Sequence, residues 1–175
     1  AFLKDGAPDR RQRLVRKLLD DRRSFAEHWL TFWNDLLRND YAGTGYIDGG
    51  RKQISAWLYA ALLDNKPYDQ FVRELLTSSG SNFRDPPVNF YRAVPSKDGP
   101  TIAQAVALTL MGARTASWPK ERLAGMAAFF SQVGYKPTSE WKEEVVFWDP
   151  LHSAAVPGST APGEDAVAKS VIVSN

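Results

Sequence analysis

Cysteine is absent from this sequence of 175 residues, and histidine and methionine occur only twice each. Without cysteine the chain cannot form disulfides, thiol nucleophiles, cysteine-ligated zinc or covalently attached haem. The two histidines, His28 and His152, stand far apart in segments of different kinds, so they offer little basis for a metal site or a catalytic triad. Neither a metal nor a cofactor is expected.

Long apolar runs and a strong excess of charge are also lacking. The longest apolar candidate, IAQAVALTLMGA, contains Gln104 and Thr109, whereas a membrane helix requires about 20 mostly apolar residues. The net charge is only +2, which is too small for a chain that binds nucleic acid as a polyelectrolyte. We therefore expect neither a membrane span nor a nucleic-acid partner. The composition, 43% hydrophobic and 12% aromatic, is typical of a folded globular protein.

Helical periodicity dominates the chain up to residue 134 and predicts a mainly α fold, an orthogonal bundle of about six helices. Ser24 and Thr101 are plausible N-caps, and Gly80 is a plausible helix stop. Prolines make residues 81–100 irregular, except for one helical turn around Asn89–Ala93. The helical segments are 8–20, 22–40, 51–65, 66–80, 101–114 and 119–134.

Two groups of residues on these helices, one basic and one aromatic, can each be interpreted in two ways. Seven basic residues lie between positions 10 and 23; we interpret them as a solvated face, with a surface for an anionic partner as the alternative. Phe25, Trp29, Phe32 and Trp33 recur at helical spacing. This aromatic stripe is predicted to be core, with an exposed ligand platform as the alternative.

The pattern changes near the C-terminus. Residues 143–149 and 167–175 are short and rich in β-branched residues, which predicts a short β-hairpin or a pair of edge strands. We divide the chain into a helical domain, 1–140, and a β-rich extension, 141–175. Because a lone two-stranded ribbon is marginal in water, the extension is expected to lean on the helices or on a following domain.

A glycine-rich segment, RNDYAGTGYIDGGRK at 38–52, separates two of the helical segments. It is a near miss to the dinucleotide fingerprint, because Asp48 stands where glycine is required and the preceding element is helical. The acidic spacing also fails for an EF-hand. We interpret the segment as a helix-to-helix junction in which Gly45 has a positive φ and Asp48 is a buried anchor.

Polar and aromatic residues around this junction are the candidate site. Asp35, Asp40 and Asp48 are candidate catalytic carboxylates, as in glycoside hydrolysis. The structural alternative is that Asp35 and Asp48 hold Arg38 or Arg51 at the junction. The candidate binding residues are Arg38, Tyr46, Asp48, Arg51 and Trp57.

Several segments carry a resemblance to a known family. They are RLVRKLLDDRRSFAEHWLTFWNDLLR, the Gly45–Asp48 turn, NKPYDQFVRELLTSSG, NFYRAV, TIAQAVALTLMGAR and GMAAFFSQVGYK. Over most of 1–150 the chain resembles domain of unknown function 1549, an uncharacterised domain of large secreted planctomycete and verrucomicrobial proteins that is often accompanied by cytochrome c domains.

The resemblance implies an exported location and membership of a longer multidomain chain, but no established activity. Many members carry a haem-attachment CxxCH motif in the interval that reads ARTASWPKERLAGM here, so the chain resembles a haem-less branch. The leading expectation is a helical interaction or scaffold module whose partners are other domains or protein subunits, with a link to extracellular polysaccharide. The alternatives are a hydrolase with an Asp/Arg cleft near residues 35–51 and a structural subunit of a larger assembly.

Overall fold

The computed structural model describes residues 2, 6–39 and 50–152, with only the backbone of residues 50 and 51. Within these ranges the chain forms seven α-helices and three short strands. Two 3-10 turns, Pro86–Val88 and Thr115–Ser117, precede α5 and α7. The helices are α1 (Arg10–Leu19), α2 (Arg22–Leu36), α3 (Gly50–Leu63), α4 (Tyr68–Thr77), α5 (Asn89–Arg92), α6 (Gly99–Met111) and α7 (Lys120–Ala128), and the strands are β1 (Gly80–Ser81), β2 (Val133–Pro137) and β3 (Glu144–Trp148).

Helix α6 lies at the centre of the fold. It is apolar on almost every side, and its alanines allow neighbouring elements to approach closely. Residues of α3, α4 and α5 complete one continuous core with it, and Val146 of β3 contributes from the sheet. The predicted class, mainly α with a short β-hairpin, is confirmed.

The helix starts differ from the predicted N-caps. Asp21 caps α2 by accepting the backbone N–H of Ser24 at 3.1 Å, and Asp98 caps α6 by accepting that of Thr101 at 2.8 Å. The prediction that Ser24 and Thr101 are the N-caps is therefore wrong, because each lies three residues after the aspartate that caps its helix. A carboxylate at the N-cap also interacts favourably with the helix dipole, which explains why aspartate occupies both positions.

The sheet corrects the predicted strand pairing. Strand β3 is central, with β2 antiparallel on one side and the two residues of β1 on the other. The hairpin therefore joins β2 to β3, and residues 133–137, part of which was assigned to a helix, form its first strand. Residues 167–175 lie outside the described residues.

Gly80 was predicted to end a helix, but α4 already ends at Thr77 and Gly80 begins β1. Its φ of +120° is rarely adopted by other residues, and a Cβ built here would lie 2.1 Å from Oδ2 of Asp85. Gly125, inside α7, has open space around a built Cβ.

Two substitutions to alanine should therefore have opposite effects on stability. Gly80→Ala should lower the free energy of unfolding by about 1–3 kcal/mol through backbone strain, while Gly125→Ala should raise it by about 0.5–1 kcal/mol through helix propensity. Urea unfolding followed by circular dichroism measures both. Equal shifts of the same sign would contradict the strained conformation at Gly80.

Candidate functional site

The residues predicted to form a site near 35–51 are only partly described. Asp40, Tyr46 and Asp48 lie outside the described residues, as does Gly45, and of Arg51 only the backbone is described. Asp35 is exposed on α2, and Arg38 follows the helix with a φ of +58°. The backbone N–H of Arg38 donates to the carbonyl of Asp35 at 3.1 Å. No ion pair between the side chains of Asp35 and Arg38 occurs among the described contacts, and the alternatives that involve Asp48 or the side chain of Arg51 lie outside the described residues.

Trp57, a predicted binding residue, lies on α3 and packs against α4. Its indole N–H donates to Oε2 of Glu74 at 3.0 Å, and its ring stacks on Phe71 with centroids 5.0 Å apart. Lys66 pairs with the same carboxylate oxygen at 2.6 Å and lies over the Trp57 ring. The hydrogen bond from Lys66, reinforced by that from Trp57, lowers the pKa of Glu74. Trp57 is thus occupied by partners within the chain.

The aromatic stripe of α2 is divided between core and surface. Trp33 packs on Phe71 with ring centroids 4.9 Å apart, as predicted. Phe25, Trp29 and Phe32 are 37–49% exposed, so the core prediction is wrong for this half of the stripe. The reason is that the described neighbours of α2 cover only the face that carries Ala26, Leu30 and Trp33.

A buried amide, Asn82, ties the sheet to the helices. Its Oδ1 accepts the backbone N–H of Glu144 at 2.8 Å, and its backbone N–H donates to the Glu144 carbonyl at 3.2 Å. The carbonyl of Asn82 in turn accepts a hydrogen bond from Nδ2 of Asn89 at 2.9 Å. Both amides are fully buried. Sequence reasoning missed them, because nothing local in SNFRDPPVNF indicates a partner 62 residues away.

Arg92 belongs to the same polar cluster, because it contacts Lys142 and Glu144. Its Nη2 donates to the carbonyl of Lys142 at 3.1 Å, and its Nε lies 3.5 Å from Glu144. Lys97 pairs with the same carboxylate. Burial lowers the pKa of Arg92 and raises that of Tyr91 to about 12. A buried arginine and a tyrosine with a pKa this high do not exchange protons near neutral pH, so the cluster is suited to structure rather than acid–base chemistry.

An open groove lies between α4, α6 and α7. It has a volume of about 690 Å³, and Tyr68 closes one side by donating its hydroxyl to the Leu110 carbonyl at 2.6 Å. Exposed Met111 and Phe129 form its rim. The groove is lined by Tyr68, Asp69, Val72, Arg73, Leu76, Val106, Leu110, Met111, Met126, Phe129 and Phe130.

The residues that line the groove include few groups that could catalyse a covalent reaction. Asp69 and Arg73 are its only charged residues, and they are one helical turn apart on α4. Neither histidine lines it: His28 contacts Trp29, and His152 pairs with Asp149 at 3.2 Å. Across the described ranges no three potential metal-ligating side chains gather, and no helix there is long and apolar enough to cross a bilayer.

Comparison with known proteins gives one match. A family model described as "Protein of unknown function (DUF1549)" matches residues 1–127, which is more than half of the chain. No curated protein and no solved structure matches it.

Removal of the Glu74 carboxylate should make stability less dependent on pH. Because the folded pKa is lowered from its ordinary value of 4.5, Glu74 stabilises the fold above that pH, and the contribution is lost as the pH falls through the lowered value. Melting temperatures at neutral and acidic pH should therefore converge in Glu74→Gln. The control is Glu140→Gln, which removes an exposed carboxylate that makes no ion pair among the described residues. A Glu74→Gln profile identical to that of the parent would contradict the assignment.

Replacement of Asn82 by leucine should destabilise the chain by about 1–3 kcal/mol, because the Glu144 N–H then lacks its acceptor. Ser79→Ala, three residues earlier and exposed, is the matched control. Chemical denaturation measures the difference, and equal unfolding free energies for the two variants would show that the amide does not hold the sheet.

Proposed function

This chain belongs to the DUF1549 family of proteins of unknown function, and from that premise we propose that it is a helical interaction module, or scaffold, whose groove holds an apolar segment of another protein. The partner would be another domain of a longer chain or a separate protein subunit. An exported location, implied by the resemblance of the sequence, belongs to the same proposal.

The observation that supports the proposal is the exposure of large apolar side chains around a concave surface. Met111 is 55% exposed and Phe129 is 76% exposed, although both stand beside the buried residues Leu110 and Phe130. Apolar patches of this kind on a folded protein mark interaction surfaces. Methionine at the rim adapts to differently shaped partners, because its side chain is unbranched and polarizable.

A protein segment suits the groove better than a metabolite. Small-molecule sites combine apolar walls with several convergent polar groups that fix the ligand's orientation. Here the charged groups are confined to Asp69 and Arg73, both exposed on one helix. Aromatic side chains and methionine are instead enriched where proteins meet.

We propose a protein partner, but neither a polysaccharide ligand nor a hydrolytic activity. A link to extracellular polysaccharide draws support from the resemblance alone, and no described contact adds to it. Hydrolysis draws little support either, because Asp35 is exposed and pairs with no described cation, while Asp40 and Asp48 lie outside the described residues.

Site-specific photo-crosslinking in the source organism tests the proposal. A benzophenone amino acid replaces Phe129 in one variant and Leu151 in the control, since Leu151 is apolar and 92% exposed but does not line the groove. We expect one protein partner, or one other region of the same polypeptide, to crosslink from position 129. Adding Met111→Asp should reduce that yield at least about tenfold, because burying a methionine contributes about 1.5–3 kcal/mol.

Crosslinking that is no richer at position 129 than at 151 would contradict the proposal. Crosslinks to a second copy of this chain would identify it as a subunit of an assembly of its own kind. Circular dichroism of the Met111→Asp variant confirms that the fold is kept.

A further inference from the structure

Helix α1 is amphipathic but buries no residue in the described structure. Its apolar residues lie on one side, yet Leu18 is 63% exposed and Leu19 is 78% exposed. Val15, on the same side, is 44% exposed. Among the described residues nothing covers this stripe of leucines, and an exposed apolar surface of this kind marks a place where another phase or partner binds.

The opposite side of α1 is strongly basic. The helix contains no acidic residue in its first turn and ends with Arg16 and Lys17 in its last. Helix α1 itself contains five basic residues and no acidic residue, a net charge of +5 within a chain of +2. Arg13 pairs with Asp9, the residue before the helix, at 3.3 Å. Positive charge is therefore concentrated on a helix that buries none of its residues in the described structure.

The exposed aromatic side chains of α2 add a second apolar surface nearby. Only Asp20 and Asp21 separate the two helices, and Phe25 follows within the first turn of α2. Phe25 contacts Trp29 and Trp29 contacts Phe32, with ring centroids 6.3 Å and 5.3 Å apart. Tryptophan, phenylalanine and leucine are typical of the apolar face of helices that lie at the boundary between water and lipid.

We infer that α1 binds the surface of an anionic lipid bilayer, with its leucines inserted among the acyl chains and its basic side chains on the headgroups. A high polar content, many basic residues and one narrow apolar stripe together define helices that lie in the plane of a membrane interface. A soluble polyanion would engage the charges but leave the leucines in water. A protein partner would have to present acidic groups and an apolar surface together, whereas an anionic bilayer supplies both at one boundary.

Vesicle sedimentation with the full chain tests this inference. One set of vesicles contains equal parts phosphatidylglycerol and phosphatidylcholine, and the other contains phosphatidylcholine alone. The chain should bind the anionic vesicles and not the neutral ones, and added salt should weaken the binding. Failure to bind anionic vesicles, or equal binding to both sets, would overturn the inference.

Three double variants separate charge from insertion. Arg16→Gln with Lys17→Gln should weaken binding about thirtyfold, since each basic residue near an anionic surface contributes about fivefold. Leu18→Gln with Leu19→Gln should weaken it at least about tenfold without unfolding the chain, because neither leucine is buried. Lys120→Gln with Lys136→Gln removes the same charge from exposed positions elsewhere and should change binding by less than about twofold.

Two further results would overturn the inference. Unchanged vesicle binding by the leucine variant would show that charge alone causes the binding and that the leucines do not insert. A dimer of the parent chain on size exclusion that becomes monomeric in the leucine variant would show that a second copy covers α1 instead.

Discussion

The constraint on which this structure depends is that α6, apolar on nearly every side, must be covered on all of them. Elements from both ends of the described chain pack around it, from α3 and α4 to Phe130 and Val146. A helix of this composition is enclosed by its neighbours, and that accounts for the central position of α6. The cover is open along Gln104, Leu108 and Met111, which are exposed, and the groove opens beside Met111.

The sequence predicted the helices well and their surroundings less well, for a physical reason. Periodicity reports which face of a helix is apolar, so the segments that became α2, α3, α4, α6 and α7 were recognisable. It does not report whether anything covers that face. Helix α1 and the first half of the α2 stripe have the same pattern as core helices, yet their apolar residues are exposed. The caps lie three residues earlier than predicted because Asp21 and Asp98 accept the backbone N–H groups of Ser24 and Thr101, which starts each helix sooner.

The candidate site was harder to predict because its parts are distant in sequence. The groove joins α4 to α6 and α7, and the polar cluster joins Asn82 to Glu144 across 62 residues. Local motifs drew attention instead to the glycine-rich segment, where charged residues are adjacent in the sequence. Trp57 was predicted to be a binding residue, but its hydrogen-bond partner Glu74 lies 17 residues away, and no spacing rule links the two.

The hairpin of β2 and β3 also affects how short a fragment of this protein can be and still fold. The family model matches the chain up to residue 127, whereas the side chains of Asn82 and Arg92 have hydrogen-bond partners between residues 142 and 144. A recombinant fragment cut at the family boundary would keep both polar side chains but lose their partners, at a cost of about 1–3 kcal/mol for each buried group left unpaired. A domain's whole stability is about 5–15 kcal/mol, so these losses would remove a substantial part of it. A recombinant fragment should therefore extend through Trp148.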